Sequence, residues 1–330
     1  MKLVWPAAVV VLLTVVALAG AQVAAGRLVL SVGLPYVAAL TLLAGLVWRV
    51  ASWARSPVPF RIPTTCGQQR ALDWIPSSRL DNPSTGLGAA VRVLLEVVAF
   101  RSLFRGVRAH QRPDGKLVYR SEKLLWAAGL GFHASLLVIV LRHARLFFEP
   151  VPAFVTWLQA VDGFFAVGVP ELYLSDVVLL AALAVLLGRR LADARLRYLS
   201  LPADYLPLLL LGAIAASGVL LRHFYRTDLV AVKNLVLSLA SLRPDTSFAG
   251  GALAFVHLLL VCALAVYFPF SKLVHMAGVF MSPTRNLANS SRRVRHVNPW
   301  NAPVPYHTYA EWEDEFRQKL KTAGLPVEKE

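Results

Sequence analysis

Two long apolar stretches of this chain, residues 123–145 and 250–281, contain ionisable side chains. Four histidines share this placement: His133, His143, His257 and His275. Ionisable groups inside a membrane span are costly, and by default they mark a functional site. Imidazole is an axial ligand of haem iron, and two imidazoles on one iron produce an electron carrier instead of an oxygen binder. The pattern therefore indicates histidine pairs that ligate metal or haem.

The charge distribution assigns each histidine a depth in the membrane. The run at 123–145 is predicted to point outward and the run at 250–270 inward, because Lys and Arg concentrate in the segments assigned to the cytoplasm. His133 then pairs with His275 near the cytoplasm, and His143 pairs with His257 near the outside. The expected cofactors are two b-type haems, with these four histidines as axial ligands. The helical rise is about 15 Å between His133 and His143 and about 27 Å between His257 and His275. A kink at Pro269 is expected to reduce this mismatch.

The composition places the chain among integral membrane proteins. It is 57% hydrophobic and only 16% charged. The formal net charge of +15 is typical of basic cytoplasmic loops, and no nucleic-acid motif accompanies it. The two cysteines, Cys66 and Cys262, form no CxxC or CxxCH motif. This argues against an iron–sulfur cluster and against covalently attached c-type haem in this chain.

The predicted fold is all-α, a polytopic bundle of about six transmembrane helices. Residues 1–48 form two N-terminal spans, although the apolar run 3–25 also fits a cleaved signal peptide. Residues 49–122 form a cytoplasmic loop with an amphipathic helix over 87–103. Residues 123–281 form a four-helix dihaem b membrane domain, with the last helix continuing past Pro269 to Phe280. Residues 282–330 form a mostly irregular cytoplasmic tail. The expected location is the inner (cytoplasmic) membrane, with both termini cytoplasmic.

Other polar residues leave alternatives open. His223, at the outer end of the fifth predicted span, is a rival ligand that would replace His143 or His257. Three arginines at the same depth either pair with haem propionates or extend to the interface: Arg142, Arg145 and Arg222. The remaining histidines lie in polar segments and are expected to be ordinary surface residues: His110, His296 and His307.

The spacing His-x9-His followed by His-x17-His resembles the nitrate reductase gamma subunit, the membrane cytochrome b of that enzyme. The resemblance covers residues 123–280 and implies that the four histidines ligate two b haems, with quinol oxidised near the outer one. One departure concerns the lysine that this family carries near the quinol pocket. The fourth predicted span here has no lysine, and Asp176 is its only charged residue.

Three motifs before residue 123 resemble a narrower family of membrane cytochrome b subunits. They comprise PFRIPTTCGQQ at 59–69, LDNP at 80–83 and FRSLF at 100–104. They resemble the DsrM family, the membrane cytochrome b subunits of DsrMKJOP complexes, and the related HmeC subunits. The resemblance implies a quinone-interacting subunit in dissimilatory sulfur metabolism. Its implied partners are a DsrK-like cytoplasmic iron–sulfur subunit and other membrane or external subunits of such a complex.

The sequence therefore predicts an electron-transfer subunit of a quinone oxidoreductase complex. The alternatives are a transporter that uses intramembrane histidines as proton relays, and a structural membrane anchor. The basic loop 49–122 either docks an acidic partner or only fixes the topology. Residues for soluble catalytic chemistry are not recognisable in the sequence.

We expect the purified chain to contain about two b-type haems, because two pairs of axial ligands hold two irons. Haem extraction and quantification, together with a reduced-minus-oxidised spectrum, measure this directly. A content of one haem or none in a fully loaded preparation would contradict the pairing of the four histidines.

Overall fold

The described part of the chain is mainly helical. In this computed structural model the described residues are 2–56, 78–112, 114–282, 286–288 and 306–329. The motif at 59–69, Cys66 and His296 lie outside the described residues, and so does the side chain of His110. The helices before the histidine-bearing region are α1 (Val4–Gly20), α2 (Ala24–Leu28), α3 (Leu34–Ala54), α4 (Gly86–Ala99) and α5 (Arg101–Phe104).

The second half contains the remaining helices. They are α6 (Lys123–His143), α7 (Ala153–Phe164), α8 (Leu174–Ala192), α9 (Ala194–Leu199), α10 (Pro202–Val219), α11 (Leu229–Ala240), α12 (Ala252–Tyr267), α13 (His275–Gly278) and α14 (Tyr309–Thr322). Two π-helical turns, Val29–Gly33 and Leu220–Phe224, follow α2 and α10 without a break.

Four of these helical segments are long and apolar enough to cross a bilayer. They are Ala24–Ala54, Lys123–Leu146, Pro202–Phe224 and Ala252–Phe270. Two further spans were expected at 3–25 and 173–188, and the corresponding helices are α1 and α8. α1 has 17 residues, and α8 carries Asp176, Arg189 and Arg190 towards its ends. The predicted class, an all-α membrane helix bundle, is confirmed.

The bundle helices pack in a continuous series. α6 packs against α8, α8 against α10, α10 against α12, and α12 against α3, while α1 contacts both α10 and α12. A buried cluster joins α6, α8 and α10 through Phe132, Leu179 and Leu211. A second cluster of buried side chains, centred on Phe255 and Leu260 of α12, joins α12 to α1 and α10. Because α10 contributes to both clusters, the two histidine-bearing helices are held on one scaffold.

The helix predicted to continue past Pro269 to Phe280 is interrupted. α12 ends at Tyr267, and a 3₁₀ turn, Phe268–Phe270, leads to Ser271 in an extended conformation. Proline removes a backbone donor and clashes with the preceding turn, so the helix cannot continue unchanged. Ser271 then accepts a hydrogen bond from the Leu273 backbone N–H at 3.1 Å and starts a new 3₁₀ turn before α13. The prediction of one continuous helix was therefore wrong.

The predicted amphipathic helix consists of two pieces, α4 and α5. They are separated at Phe100, whose φ of 50° is left-handed. An antiparallel hairpin, which the sequence pattern did not indicate, follows. Its strands are β1 (Val107–Gln111) and β2 (Leu117–Ser121). An isolated two-stranded hairpin is only marginally stable in water, so it needs support from the rest of the protein.

That support comes from ion pairs at the base of the hairpin. Arg108 pairs with Glu122 at 3.1 Å and with Asp193 after α8, and Arg189 also pairs with Glu122 at 2.8 Å. The Arg108 guanidinium lowers the pKa of Asp193 to about 2. A carboxyl with a lowered pKa stabilises the fold above its unfolded pKa of about 4, and this contribution is lost as pH falls through about 2. The hairpin is thus attached to the ends of α6 and α8.

The tail predicted to be mostly irregular contains α14. Thr308 caps this helix by accepting from the Glu311 backbone N–H, while Glu311 accepts in return from the Thr308 N–H. Its Glu313 carboxylate accepts hydrogen bonds from the backbone N–H groups of Glu328 and Lys329 at 2.8 and 2.9 Å. The chain after α14 therefore folds back on the helix.

Candidate functional site

The structure brings His133 of α6 and His275 of α13 together. Their ring centroids are 5.9 Å apart, with an interplanar angle of 81°. Phe100 and Phe132 each pack edge-on against the His133 ring at 4.9 Å. The break after Tyr267 makes this approach possible. His257 to Tyr267 spans ten residues, as His133 to His143 does, so the helical rises match at about 15 Å.

The second pair, His143 and His257, lies at the other end of the bundle. His143 is the last residue of α6, and it interacts electrostatically with His257 of α12. His257 packs against α10, where Ser217 contacts its Nδ1 atom at 2.9 Å. The structure therefore groups the four histidines by depth as the sequence predicted. Their role as iron ligands remains a prediction.

Hydrogen bonds fix the tautomer of three of these imidazoles directly. Nδ1 of His133 lies 2.7 Å from the Gly129 carbonyl oxygen, and Nδ1 of His143 lies 2.7 Å from that of Ile139. Nδ1 of His275 lies 2.9 Å from the Lys272 carbonyl oxygen. A carbonyl oxygen only accepts hydrogen bonds, so Nδ1 carries the proton in each ring. In the neutral imidazole, Nε2 then keeps its lone pair.

His257 also carries its proton on Nδ1, but its hydrogen-bond partner is a side chain, the Ser217 hydroxyl. The Ser217 hydroxyl lies 3.0 Å from the Ile214 carbonyl oxygen and donates its single proton there. The Ser217 oxygen therefore accepts from Nδ1 of His257 at 2.9 Å. Metal-ligating histidines commonly donate their second ring N–H in this way, which fixes the ring orientation and raises the basicity of the ligating nitrogen.

His223, the rival ligand, is held differently. Its Nε2 lies 2.8 Å from an oxygen of Asp176, and the two side chains are only 7% and 10% exposed. Its ring also packs edge-on against Tyr173 at 5.3 Å. The nitrogen that the four paired histidines leave available is here bound to a carboxylate. His223 therefore does not fit the role of an axial ligand that replaces His143 or His257.

The described residues fit a cofactor that needs two protein ligands. A metal lies about 2 Å from an imidazole nitrogen, so two imidazoles on opposite sides of one ion place their ring centres roughly 6 Å apart. The 5.9 Å between His133 and His275 agrees with this separation. The rings of His133, His143 and His275 are exposed although they belong to apolar segments. No cluster of three or more His, Cys, Asp or Glu side chains that could hold a metal ion occurs among the described residues.

Two glycines near the histidines, Gly131 and Gly250, do not leave open space beside the histidine rings. A Cβ on Gly131 would lie 3.4 Å from Val178 of α8, and one on Gly250 would lie 2.5 Å from the Phe248 ring. These two glycines therefore serve close packing of protein against protein. Gly218, which the sequence pattern did not single out, has the clearest relation to the site. A Cβ there would lie 3.2 Å from Cε1 of His257.

The end of the bundle that carries His143 contains a network of charged side chains. Arg142 is buried and pairs with Asp162 of α7, and it also donates to the Ser175 hydroxyl at 3.1 Å. The guanidinium groups of Arg142 and Arg222 both lie over the Tyr173 ring, 4.3 and 4.6 Å from its centroid. Arg222 donates to the Tyr173 hydroxyl at 2.8 Å. Arg142 and Arg222 therefore have partners within the protein. The sequence predicts instead that they pair with haem propionates or extend to the membrane interface.

The helix series and the two histidine pairs define a class, an α-helical membrane bundle with paired-histidine sites. Comparison with known proteins specifies it further. Residues 93–296, more than half of the chain, match the family model "Nitrate reductase gamma subunit". The match includes all four paired histidines. The chain belongs to the nitrate reductase gamma subunit family.

Two curated proteins are similar over most of their length. One is the "Hdr-like menaquinol oxidoreductase cytochrome b-like subunit" of Archaeoglobus fulgidus, 42% identical over 279 residues, which cover 82% of this chain and 83% of that protein. The other has the same description, comes from Archaeoglobus profundus and is 42% identical over 275 residues, 81% of each chain.

Because a Cβ on Gly218 would crowd the His257 ring, we expect Gly218→Val to displace that imidazole and to alter the outer haem that the sequence predicts between His143 and His257. Overpacking of this kind typically costs about 1–3 kcal/mol. The outer haem should be lost or shifted in midpoint potential, with the inner haem unchanged, in a spectroelectrochemical titration. Ala216→Val, at an exposed position of α10, is the matched control and should leave both haems unaltered. Identical titrations of the two variants would contradict the positioning role of Gly218.

Proposed function

We propose that this chain is a dihaem b subunit of a membrane quinol oxidoreductase complex. His133 and His275 would hold the inner haem, and His143 and His257 the outer one. The observation that carries the proposal is the shared state of the four imidazoles. Each donates its Nδ1–H to a fixed acceptor and keeps Nε2 for a ligand.

The chemistry that haem b supplies when bound is reversible one-electron transfer. The residues of the chain bind, orient and shield it. The Gly129, Ile139 and Lys272 carbonyl oxygens and the Ser217 hydroxyl hold the imidazoles in a single orientation. Phe100 and Phe132 pack edge-on against the His133 ring and provide apolar surface beside it.

Quinol would react at the outer end, where Arg145 follows His143 by two residues. The relatives' name refers to menaquinol, which supports a lipid-soluble quinol as the electron donor. Arg145 has no ion pair among the described residues, in contrast to Arg142, which is paired with Asp162. A free guanidinium at this depth could donate hydrogen bonds to a quinone oxygen.

Electrons would leave at the inner end, towards a cytoplasmic partner. The motifs at 80–83 and 100–104 support placement near the DsrM family, with a DsrK-like iron–sulfur subunit as the partner and dissimilatory sulfur metabolism as the setting. The relatives' name, an oxidoreductase subunit, supports membership of a larger complex. The topology with both termini in the cytoplasm remains part of this proposal.

Within the described part of the basic loop 49–122, the hairpin is the candidate surface for docking the cytoplasmic partner. It is joined directly to α6, the helix that carries His133, and ion pairs fix its base to α8. Three basic residues on it are exposed and have no ion pair among the described residues: Arg112, Lys116 and Arg120. Such a positive face would attract an acidic partner and speed encounter at low salt.

A transporter with histidines as a proton relay is less well supported. A relay needs imidazoles that exchange protons with one another or with water. Three of the four paired histidines instead bond backbone carbonyls of their own segments, three or four residues earlier in the chain. These bonds are local and do not connect the histidines into a chain.

We expect the haem that remains in a single-histidine variant to be reduced by quinol only when it is the outer haem. His143→Ala should remove the outer haem and abolish reduction of the inner haem by menadiol, because quinol is proposed to react at the outer end. His133→Ala should remove the inner haem and leave the outer haem reducible by menadiol. Absorbance changes after mixing with menadiol measure this, and dithionite gives the total reducible haem. The opposite pattern would place quinol at the inner end.

We also expect the hairpin charges to control assembly with the cytoplasmic iron–sulfur subunit. Replacing Arg112, Lys116 and Arg120 by Gln removes three exposed positive charges, so co-purification of that subunit should fall and haem content should stay constant. The matched control replaces Lys319 and Lys321, on the exposed surface of α14, by Gln. Equal co-purification with both variants over a range of salt concentrations would refute the docking role.

A further inference from the structure

A groove on α7 has the properties of a small-ligand site. It has a volume of about 250 Å³ and is lined by Arg145, Thr156, Gln159, Ala160 and Gly163. The four α7 residues are spaced at i, i+3, i+4 and i+7, so they share one face of the helix. Arg145 closes the groove from the end of α6.

The Gln159 side chain provides an independent indication of a ligand. Its carbonyl oxygen Oε1 is buried and has no hydrogen-bond partner within the described part of the chain. A buried acceptor without a partner costs about 1–3 kcal/mol. Such a group in a protein calls for an explanation, and a bound ligand that donates a hydrogen bond is one.

The groove is close to the outer histidine pair. Arg145 is two residues from His143 and interacts electrostatically with Arg142, Arg222 and Tyr173. On its other side, Gly163 approaches Tyr173, since a Cβ on Gly163 would lie 3.3 Å from Cε1 of that ring. The groove therefore adjoins the charged network that surrounds His143.

We propose that this groove binds the headgroup of a lipid-soluble quinol. The Gln159 carbonyl oxygen would accept a hydrogen bond from a quinol hydroxyl, and the Arg145 guanidinium would donate to a quinol oxygen. The inference rests on the proposed function and specifies where on the outer end its substrate binds. Thr156, whose hydroxyl donates to the Ala153 carbonyl at 2.8 Å, also lines the groove.

The chemistry of the groove favours a quinol over the phosphodiester group of a lipid. The unpartnered atom at Gln159 is an acceptor, and a quinol hydroxyl is a donor, whereas a phosphodiester offers only acceptors. A complete ligand pocket usually measures roughly 300–1,000 Å³. The groove, at about 250 Å³, suits an aromatic headgroup whose apolar tail lies outside in lipid.

The test uses the haem-loaded full-length chain in lipid nanodiscs, with menadione and menadiol as probes. Gln159→Leu removes the acceptor and keeps a side chain of similar length. Ala160→Phe, at an exposed position, fills the groove without disturbing the core. Val161→Ala, on the opposite face of α7, is the control.

Menadiol binding is measured under anaerobic conditions by equilibrium dialysis, with the haems already reduced by dithionite. Menadiol oxidation is followed as a single turnover in which the oxidised haems accept the electrons. We expect Gln159→Leu to raise the Kd of menadiol and the menadiol concentration for half-maximal haem reduction about tenfold, the effect of about one lost hydrogen bond. Menadione has no hydroxyl that could donate to Gln159, so its Kd should change little in this variant, whereas Ala160→Phe should abolish binding of both probes. Haem content and dithionite-reduced spectra should be equal in all four proteins, and the control should bind like the wild type.

The outcomes separate this inference from the proposed function. If the wild type binds menadiol and both groove variants bind it equally well, the groove is not the site, although a quinol role is retained. If the wild type neither binds menadiol nor accepts electrons from it, the quinol role itself fails, and the groove assignment fails with it.

Discussion

The account of this protein depends on one repeated interaction, the hydrogen bond from an imidazole Nδ1–H to a fixed oxygen. His133, His143 and His275 each donate to a backbone carbonyl, and His257 donates to Ser217. This bond orients the ring and leaves the lone pair of Nε2 free for a ligand. In His223, by contrast, Nε2 is bound to Asp176. The histidines of the bundle therefore differ in which ring nitrogen is left free.

A second constraint is depth. His133 and His143 are ten positions apart, but His257 and His275 are eighteen positions apart, and two straight helices could not align both pairs. The end of α12 at Tyr267 and the extended Ser271 solve this problem, since the chain redirects before α13 begins. Pro269 therefore does not merely bend the helix, as the sequence predicted. It ends the helix at the length that the partner helix requires.

The sequence was sufficient for the fold class and for the grouping of the histidines. Apolar runs and basic loops specify a membrane bundle, and histidines in such runs are too costly to be incidental. The sequence was insufficient where long-range contacts decide. The hairpin depends on Arg108 reaching Asp193, 85 positions away, and the roles of Ser217 and Gly218 depend on a neighbouring helix. Neither of these contacts produces a pattern in the neighbouring sequence from which it could be predicted. The sequence pattern did not indicate the helix α7, although its Thr156, Gln159 and Gly163 share one face.

The most direct test of the central claim is an experimental density map of the haem-loaded chain in a lipid environment. The account predicts two flat macrocycles, one between His133 and His275 and the other between His143 and His257, each bound through Nε2. It also predicts that Nδ1 of all four rings keeps the hydrogen bonds described above. A macrocycle bound to His223, a single macrocycle in a fully loaded sample, or coordination through Nδ1 would contradict it.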